Sequence, residues 1–190
     1  MDHTRLNVHA INANSQANGP GIRYTLWLQG CSIHCDGCFN PGTHDPLAGT
    51  WMSILDILQD IQNHMPNLDG ITVTGGEPLD QAAALSSFLS ACRDNLPLPI
   101  LLFTGYNEEQ IAADPSMVHI LNLIDVLVCG PYRQKEKNTA GFPGSKNQKI
   151  QFITDTYAQN DFVNLPPAEI TIHPAGDVDS SGTDPFRLFL

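Results

Sequence analysis

The sequence predicts an α/β fold with a mostly parallel, curved sheet, in the form of an incomplete (β/α) barrel or an open sheet. The prediction rests on the alternation of short apolar strands with helical periodicities and on a length of 190 residues. Continuously apolar strands separated by helices are typical of parallel sheets covered on both faces. A complete eight-unit barrel takes about 250 residues. We therefore expect one domain, spanning residues 1–190, that is too short to close such a barrel.

The first half of the chain contains two predicted strands and two predicted helices. A strand from about Ile22 to Leu28 follows a Gly-Pro-Gly turn. Apolar residues at helical spacing predict a helix between Ile54 and Met65. The β-branched strand "GITVT" then ends at a glycine pair. Asp80 is the predicted N-cap of the next helix, whose apolar stripe comprises Leu85, Phe88, Leu89 and Cys92.

The second half continues the alternation. "PILLFTGY" is a predicted buried strand, a helical region extends through Leu123, and "IDVLVCGPY" is a strand that stops at Gly-Pro. "KIQFIT" and "AEITIHP" are predicted late strands. In parallel α/β folds the chemistry lies at the C-terminal ends of the strands. The cysteine-rich loop at 31–38, the turn at 75–77 and the pair 104–105 all follow predicted strands, so we expect them to share one site.

Charge restricts the class of partner. The formal net charge is −11, from 20 acidic and 9 basic residues, which argues against nucleic acid as a primary partner. Five of the basic residues nevertheless fall within 133–149, beside the single acid Glu136. They are Arg133, Lys135, Lys137, Lys146 and Lys149. Solvated loop charge and a site for an anionic ligand or partner are both open interpretations.

The N-terminal sequence and the cysteine count indicate the compartment. "MDHTRLNVHAINANS" lacks the apolar segment of a signal peptide, and no run approaches the roughly 18 apolar residues of a membrane span. We therefore expect a cytoplasmic protein without a membrane segment. Cysteines stay reduced in that compartment, and the chain has five, an odd number. Clustered thiols then indicate metal binding or catalysis more than disulfides.

Three of the cysteines lie in one loop. Cys31, Cys35 and Cys38 have the spacing C-x₃-C-x₂-C, which allows their thiolates to surround a soft metal or an iron–sulfur cluster. A dithiol redox pair of Cys35 and Cys38 and a cubane cluster with one open iron are two alternatives. The third is a structural zinc site with a fourth ligand from His34, His44, Cys92 or Cys129.

A second motif bears on this choice. In "TGGEP" the paired glycines Gly75 and Gly76 let a ligand approach the backbone, and Glu77 offers a carboxylate to a cationic group. Together with the cysteine spacing this turn resembles the radical S-adenosylmethionine (SAM) superfamily. The resemblance implies that the three cysteines hold a [4Fe–4S] cluster whose open iron binds SAM. It also implies that Gly75, Gly76 and Glu77 hold the methionyl end of SAM.

The order of several segments narrows the resemblance to anaerobic ribonucleotide reductase activating proteins, which belong to the glycyl-radical-enzyme activases. The match covers about residues 5–154 and leaves 155–190 as a C-terminal extension of a single radical SAM domain. The segments are "NGPGIRYTLWLQGCSIHCDGCFNPGTH", "TGGEPL", "LLFTGY", "DVLVCGPY" and "GSKNQKI".

The resemblance implies an activity. A low-potential electron from a flavodoxin- or ferredoxin-type donor enters the cluster, and SAM is cleaved to methionine and a 5′-deoxyadenosyl radical. That radical takes a hydrogen atom from a backbone glycine of a partner, expected to be an anaerobic ribonucleoside-triphosphate reductase. Two alternatives stay open: a stand-alone radical SAM enzyme acting on a small molecule or peptide, and a zinc-binding or electron-transfer module without catalysis.

Further residues follow from the same resemblance. Phe39 is a candidate for contact with adenine, with core packing as the alternative, and Thr104 and Gly105 are expected to line the cleft near SAM. Arg23 is expected to face the site, the partner or solvent. Cys129 stands where related activating proteins usually have aspartate, so it cannot supply a carboxylate there; a buried thiol is the expected state.

Overall fold

The computed structural model describes residues 4–138, 142–172, 176 and 178–182. Its strands are β1 Arg5–Ser15, β2 Arg23–Leu28, β3 Thr50–Ser53, β4 Gly70–Gly75, β5 Ile100–Thr104, β6 Val126–Cys129, β7 Lys149–Phe152, β8 Ala168–Ile172 and β9 Val178–Gly182. Its α-helices are α1 Ile54–His64, α2 Ala82–Asn95, α3 Glu108–Ala113 and α4 Pro115–Leu121. The α/β class predicted from the sequence is confirmed.

The main sheet has seven strands in the order β3-β1-β2-β4-β5-β6-β7. The four central strands β2, β4, β5 and β6 are parallel to one another. The flanking strands β1, β3 and β7 each run antiparallel to a neighbour. The predicted parallel strands therefore form the centre of the sheet, and their C-terminal ends lie along one edge.

Alternate residues of the parallel strands are buried on opposite faces of the sheet. On one face, residues such as Leu26 and Val73 pack with the helices in the main hydrophobic core. On the other face, Leu101 and Val128 join Phe162 in a smaller cluster beneath the segment that follows β7. This second cluster covers the second face of the sheet only near β5 and β6. The rest of that face lines a cavity.

The predicted role of Asp80 as the N-cap of α2 is wrong. A 3₁₀ turn at Pro78–Gln81 precedes this helix, and the turn is capped by Glu77, whose side chain accepts from the Leu79 N–H. The cap position of α2 itself is Gln81, without a side-chain bond. Asp80 instead accepts from the Ser32 N–H at 2.7 Å and from the Ser32 hydroxyl at 2.8 Å, which fixes the cysteine loop.

Arg23 does not face the site, a partner or solvent, contrary to our expectation. Its side chain is fully buried at the start of β2, whereas the cysteine loop follows the other end of that strand. The guanidinium donates to Thr72 Oγ1 at 3.0 Å, to the Ile71 carbonyl at 2.6 Å and to the Tyr157 hydroxyl at 2.7 Å. Arg23 thus joins β2, β4 and the chain after β7.

Two further features differ from the expectation. The helical region before Leu123 is two helices, because Pro115 begins α4 and Asp114 caps it by accepting from the Ser116 N–H at 2.8 Å. The predicted late strand β8 forms a separate two-stranded sheet with β9. Strands β1 and β3 were not predicted. No helix in the described ranges is long and apolar enough to cross a membrane.

Candidate functional site

The cysteine loop leaves the C-terminal end of β2 and is closed by backbone hydrogen bonds. The Gly30 N–H donates to the Thr43 carbonyl at 2.7 Å, and the Cys31 N–H donates to the His44 carbonyl at 3.2 Å. All three loop cysteines are free thiols of intermediate exposure. The loop therefore holds three accessible thiols on a short, fixed piece of backbone.

Backbone N–H groups are directed at each of the three sulfur atoms. Ile33 and His34 donate to Cys31, and Tyr132 donates to Cys35. The Asn40 N–H lies 3.4 Å from Cys38 Sγ. Burial raises the pKa of all three thiols, while these N–H groups oppose the rise. Hydrogen bonds to sulfur are typical of cysteines that ligate iron–sulfur clusters, so the donor set fits such a group.

The glycine-glycine-glutamate turn at the end of β4 is bonded directly to this loop. The Gly76 N–H donates to the Leu28 carbonyl at 2.8 Å, and the Glu77 N–H donates to the Gly30 carbonyl at 2.8 Å. A Cβ on Gly75 would lie 2.3 Å from Leu28 N, and one on Gly76 would lie 2.1 Å from Gly30 O. The group that approaches both glycines is therefore the backbone leading into the cysteine loop.

Glu77 is 1% exposed and its carboxylate is held by three donors. The Leu79 N–H and the Thr104 hydroxyl each donate to Oε1 at 2.8 Å, and the Gly105 N–H donates to Oε2 at 2.7 Å. Burial raises the pKa of Glu77 to about 7 despite these bonds. A cationic group bound in the adjoining cavity would offset the cost of burying this charge.

We expect this buried carboxyl to make stability depend on pH. Its pKa is higher in the folded chain than the ordinary 4.5, so folding retains a proton that unfolding releases. The free energy of unfolding should therefore fall by roughly 3 kcal/mol as the pH rises from about 4.5 through about 7. Urea unfolding of the cluster-free chain between pH 5 and pH 8 measures this slope.

A pair of variants isolates the contribution of Glu77. Glu77→Gln should lose this part of the slope, while Glu109→Gln on the exposed surface of α3 should keep it. An unchanged slope in Glu77→Gln would contradict the assignment. Glu77→Gln should also be less stable at pH 5 by about 1–3 kcal/mol. Its side-chain NH₂ would replace one accepting oxygen and would therefore face a donor that it cannot bond.

The nine residues that the sequence predicted at the site all line one cavity of about 400 Å³. They are Cys31, Cys35, Cys38, Phe39, Gly75, Gly76, Glu77, Thr104 and Gly105. A cavity of this size suits a small organic ligand. The structure thus brings the thiols and the Glu77 carboxylate to one ligand-sized space; the role of each residue stays a prediction.

Phe39 and Thr104 differ in how they contribute. Phe39 is 49% exposed and packs edge-to-face on Tyr132 at 5.1 Å, so it forms an aromatic wall of the cavity and is outside the core. The Thr104 hydroxyl donates to Glu77 and accepts from the Tyr106 N–H at 3.1 Å. Thr104 therefore acts on the cavity by fixing Glu77.

A hairpin from the C-terminal extension lines the same cavity, which the sequence did not predict. Glu169 and Thr171 of β8 and Ser181 of β9 face it. Glu169 accepts from the Ser15 hydroxyl at 2.5 Å and from the Gln16 N–H at 2.7 Å. These contacts hold the hairpin against the end of β1. No sequence motif marks them.

Several other candidates do not contribute to the cavity. Cys92 and Cys129 are buried in the main core and are not part of its lining. His34 is also outside the lining, whereas His44 lines the cavity and packs edge-to-face on His34 at 4.8 Å. No group of three or more His, Cys, Asp or Glu side chains converges on a single metal position in the described residues. A four-iron cluster is larger than one ion, so its ligands stand farther apart.

Gln148 lines the cavity, and Asn147 lies beside it in the same turn. The Asn147 amide donates to the Pro131 carbonyl at 2.8 Å, and the Gln148 amide donates to the Gly130 carbonyl at 3.1 Å. This pair thus ties the chain entering β7 to the end of β6, which gives the "GSKNQ" segment a structural role.

Comparison with known proteins adds the family. The model of the 4Fe-4S single cluster domain matches residues 17–151. The chain is 30% identical over 149 residues to the anaerobic ribonucleoside-triphosphate reductase-activating protein of Enterobacteria phage T4, which covers 76% of this chain and 92% of that protein. It is 34% identical over 144 residues to the protein of the same name from Pasteurella multocida. That match covers 72% of this chain and 91% of the relative.

A second kind of relative is similar over a shorter stretch. The pyruvate formate-lyase-activating enzyme of Listeria monocytogenes is 36% identical over 90 residues, which are 45% of this chain and 36% of that enzyme. The matched domain contains the cysteine loop and the Gly-Gly-Glu turn, and the residues present fit a cluster there. The chain therefore belongs to the radical SAM activating enzymes, the family of the anaerobic ribonucleoside-triphosphate reductase-activating proteins.

Proposed function

We propose that this chain generates a glycyl radical on a partner enzyme of the anaerobic ribonucleoside-triphosphate reductase class. Cys31, Cys35 and Cys38 hold the [4Fe–4S] cluster in this proposal. Gly75, Gly76 and Glu77 hold the methionyl end of SAM, while Phe39 contacts its adenine. The observation that carries the proposal is the direct bonding of the Gly-Gly-Glu turn to the cysteine loop, so that both motifs open on one cavity.

The residues of the site prepare the cavity for this reaction. Thr104 and the Gly105 N–H fix the Glu77 carboxylate, which can then bind a cationic group without reorganising. The N–H groups directed at the three sulfur atoms stabilise their thiolate form. Bound at this site, the cluster and SAM supply reductive cleavage of a sulfonium, which yields the 5′-deoxyadenosyl radical.

The architecture supports two further parts of the proposal. Four parallel strands with their C-terminal ends at the cavity are consistent with an incomplete (β/α) barrel of the radical SAM type. We infer a single radical SAM domain, with a core at about 5–154 and an extension at 155–190. The hairpin β8–β9 lies in that extension and beyond the matched family domain, yet it lines the cavity.

The same hairpin favours one alternative function, a stand-alone radical SAM enzyme that takes hydrogen from a small molecule or peptide. Strands β8 and β9 supply part of the wall of the cavity. A small substrate would pass such a wall, whereas a folded partner would have to insert a glycine-bearing loop beside it. The two functions therefore differ in whether cleavage of SAM depends on a partner protein.

The proposal is tested by anaerobic activation of a purified anaerobic ribonucleoside-triphosphate reductase. The iron- and sulfide-loaded chain is mixed with SAM, photoreduced deazaflavin and the reductase, and the glycyl radical is detected by electron paramagnetic resonance. We expect a radical on the reductase and one 5′-deoxyadenosine for each radical formed. A reductase whose radical-bearing glycine is replaced by alanine is the matched control and should give no signal.

The outcome that contradicts the activase proposal is specific. If 5′-deoxyadenosine accumulates at the same rate with and without the reductase, and the reductase acquires no radical, the stand-alone enzyme is the better interpretation. A radical that forms on the wild-type reductase and not on its glycine-to-alanine variant would exclude the stand-alone enzyme for this partner.

A further inference from the structure

The five basic residues singled out in the sequence lie on two segments beside the cysteine loop. We call residues 132–137 and 144–149 together the basic arm. The Lys146 N–H donates to the Glu136 carbonyl at 2.8 Å, and Lys137 and Ser145 form an antiparallel bridge. These backbone contacts place Lys135 and Lys146 on neighbouring segments of one surface.

The basic arm touches the cysteine loop at three points. The Tyr132 N–H donates to the sulfur of Cys35. The side chain of Gln134 packs on Gly37, where an added Cβ would lie 2.4 Å from its Oε1. Phe39 packs on the Tyr132 ring at 5.1 Å. The arm is therefore a direct neighbour of the loop that carries the cluster ligands.

Only some of the cations in the arm are neutralised by acids. Arg133 pairs with Glu136 at 2.9 Å, and Lys149 pairs with Glu108. Lys135 and Lys146 are exposed, and no ion pair involves either of them in the part of the chain that the structure describes. In a chain of net charge −11, two such lysines form a local surface of the opposite sign.

We propose that the basic arm is the docking surface for an acidic one-electron donor protein that reduces the cluster. The proposal rests on the proposed function, because only a radical SAM enzyme needs this electron. One electron leaves the reduced flavin or iron–sulfur centre of the donor and enters the cluster, and no proton or group is transferred. Opposite charges steer such partners together and orient them before transfer.

The position of the arm favours the electron donor over the enzyme that receives the radical. Lys135 and Lys146 do not line the cavity in which SAM and the substrate glycine must meet. Lys135 follows Tyr132 and Gln134, the two arm residues that contact Cys35 and Gly37 of the cysteine loop. A donor docked on these two lysines would approach the cluster through the segments that contact the cysteine loop, without occupying the cavity.

Two lysine variants and a matched control test this surface. Lys135→Glu and Lys146→Glu each change the charge by the same amount as Arg5→Glu. Arg5 lies on β1, which is separated from β6 and β7 by at least three strands of the sheet. The probe is a purified acidic flavodoxin, and two quantities are measured at low and high salt. They are its dissociation constant for the cluster-free chain and the rate at which its hydroquinone reduces the cluster in the loaded chain.

We expect each lysine variant to weaken binding and slow reduction by about tenfold at low salt, with a smaller difference at high salt. Arg5→Glu should change both by less than about twofold. Wild-type binding and reduction in both lysine variants would overturn the proposal. It would also be overturned if these variants lowered the glycyl radical yield with photoreduced deazaflavin as the electron source, because the arm would then serve the radical-accepting enzyme.

The binding measurement does not depend on catalysis. Failure of the proposed function would appear as the absence of both the glycyl radical and 5′-deoxyadenosine when the loaded wild-type chain is mixed with SAM, photoreduced deazaflavin and the reductase. Failure of the docking proposal would appear as equal affinity of wild type and the lysine variants for the flavodoxin. The two results are therefore distinguishable in one set of experiments.

Discussion

A Cys35→Ser variant is expected to hold no complete cluster and to form no 5′-deoxyadenosine. A serine hydroxyl is a harder ligand and stays protonated where a thiol can ionise, so it is a poor ligand for a soft iron site. The remaining two thiolates are too few to complete the three-cysteine ligand set. The Tyr132 N–H that donates to the Cys35 sulfur would also face a smaller atom at a longer distance.

Iron and sulfide per chain, the visible absorption of the loaded protein and the yield of 5′-deoxyadenosine measure this loss. Cys92→Ser is the matched control, because that thiol is 1% exposed on α2 and lies outside the cavity. It should keep the cluster and the activity while losing about 1–3 kcal/mol of stability through a buried hydroxyl. Normal iron content and activity in Cys35→Ser would refute the assignment of the cluster ligands.

The parts of the fold that the sequence predicted are those with an uninterrupted local period. Strand β2 alternates buried residues such as Tyr24 and Leu26 toward one face, and α1 repeats Ile54, Ile57 and Ile61 on one side. Strand β1 was missed because register shifts after Val8 and after Asn12 interrupt its two-residue period. Strand β3 has only four residues, all at least partly exposed, so it gives little signal.

The errors have a common physical cause, which is a partner distant in sequence. Asp80 has the residue type and position of an N-cap, but it accepts from Ser32, 48 residues earlier. Arg23 belongs to a residue type usually found at the surface. Its acceptors, among them Thr72 and Tyr157, come together only in the folded chain. No local pattern around Asp80 or Arg23 contains this information.

The candidate site divides in the same way. The thiols and the Gly-Gly-Glu turn were predicted because each motif is contiguous in sequence and follows a strand. The hairpin was not, because Glu169 reaches the cavity by accepting from Ser15, 154 residues away. The reason for the glycine pair was also incomplete. A ligand was expected to approach it, whereas the structure shows the backbone of Leu28 and Gly30 in contact with it.

Because of this contact, we expect Gly76→Ala to destabilise the chain and to prevent assembly of the cluster. Its Cβ would lie 2.1 Å from Gly30 O, 2.7 Å from Gly30 C and 3.0 Å from Thr43 O. All three are backbone atoms, so no change of rotamer relieves the overlap. The turn must separate from the cysteine loop, which breaks the 2.8 Å bond from the Glu77 N–H to the Gly30 carbonyl.

The expected cost is about 3 kcal/mol, or roughly 6–12 °C in Tm, measured by thermal unfolding of the cluster-free chain. Gly42→Ala is the control, because the nearest atom to its added Cβ would be His9 Cε1 at 3.6 Å. This variant should change stability by less than about 0.5 kcal/mol.

Iron uptake distinguishes a local effect on the site from global unfolding, because Gly76→Ala should bind less iron even well below its Tm. A Gly76→Ala chain with wild-type Tm and full iron content would mean that the turn and the loop are not coupled through this contact. Since Glu77 follows Gly76 directly, the substitution also displaces the carboxylate from Thr104 and Gly105. One methyl group thus tests whether the two motifs act as a single site.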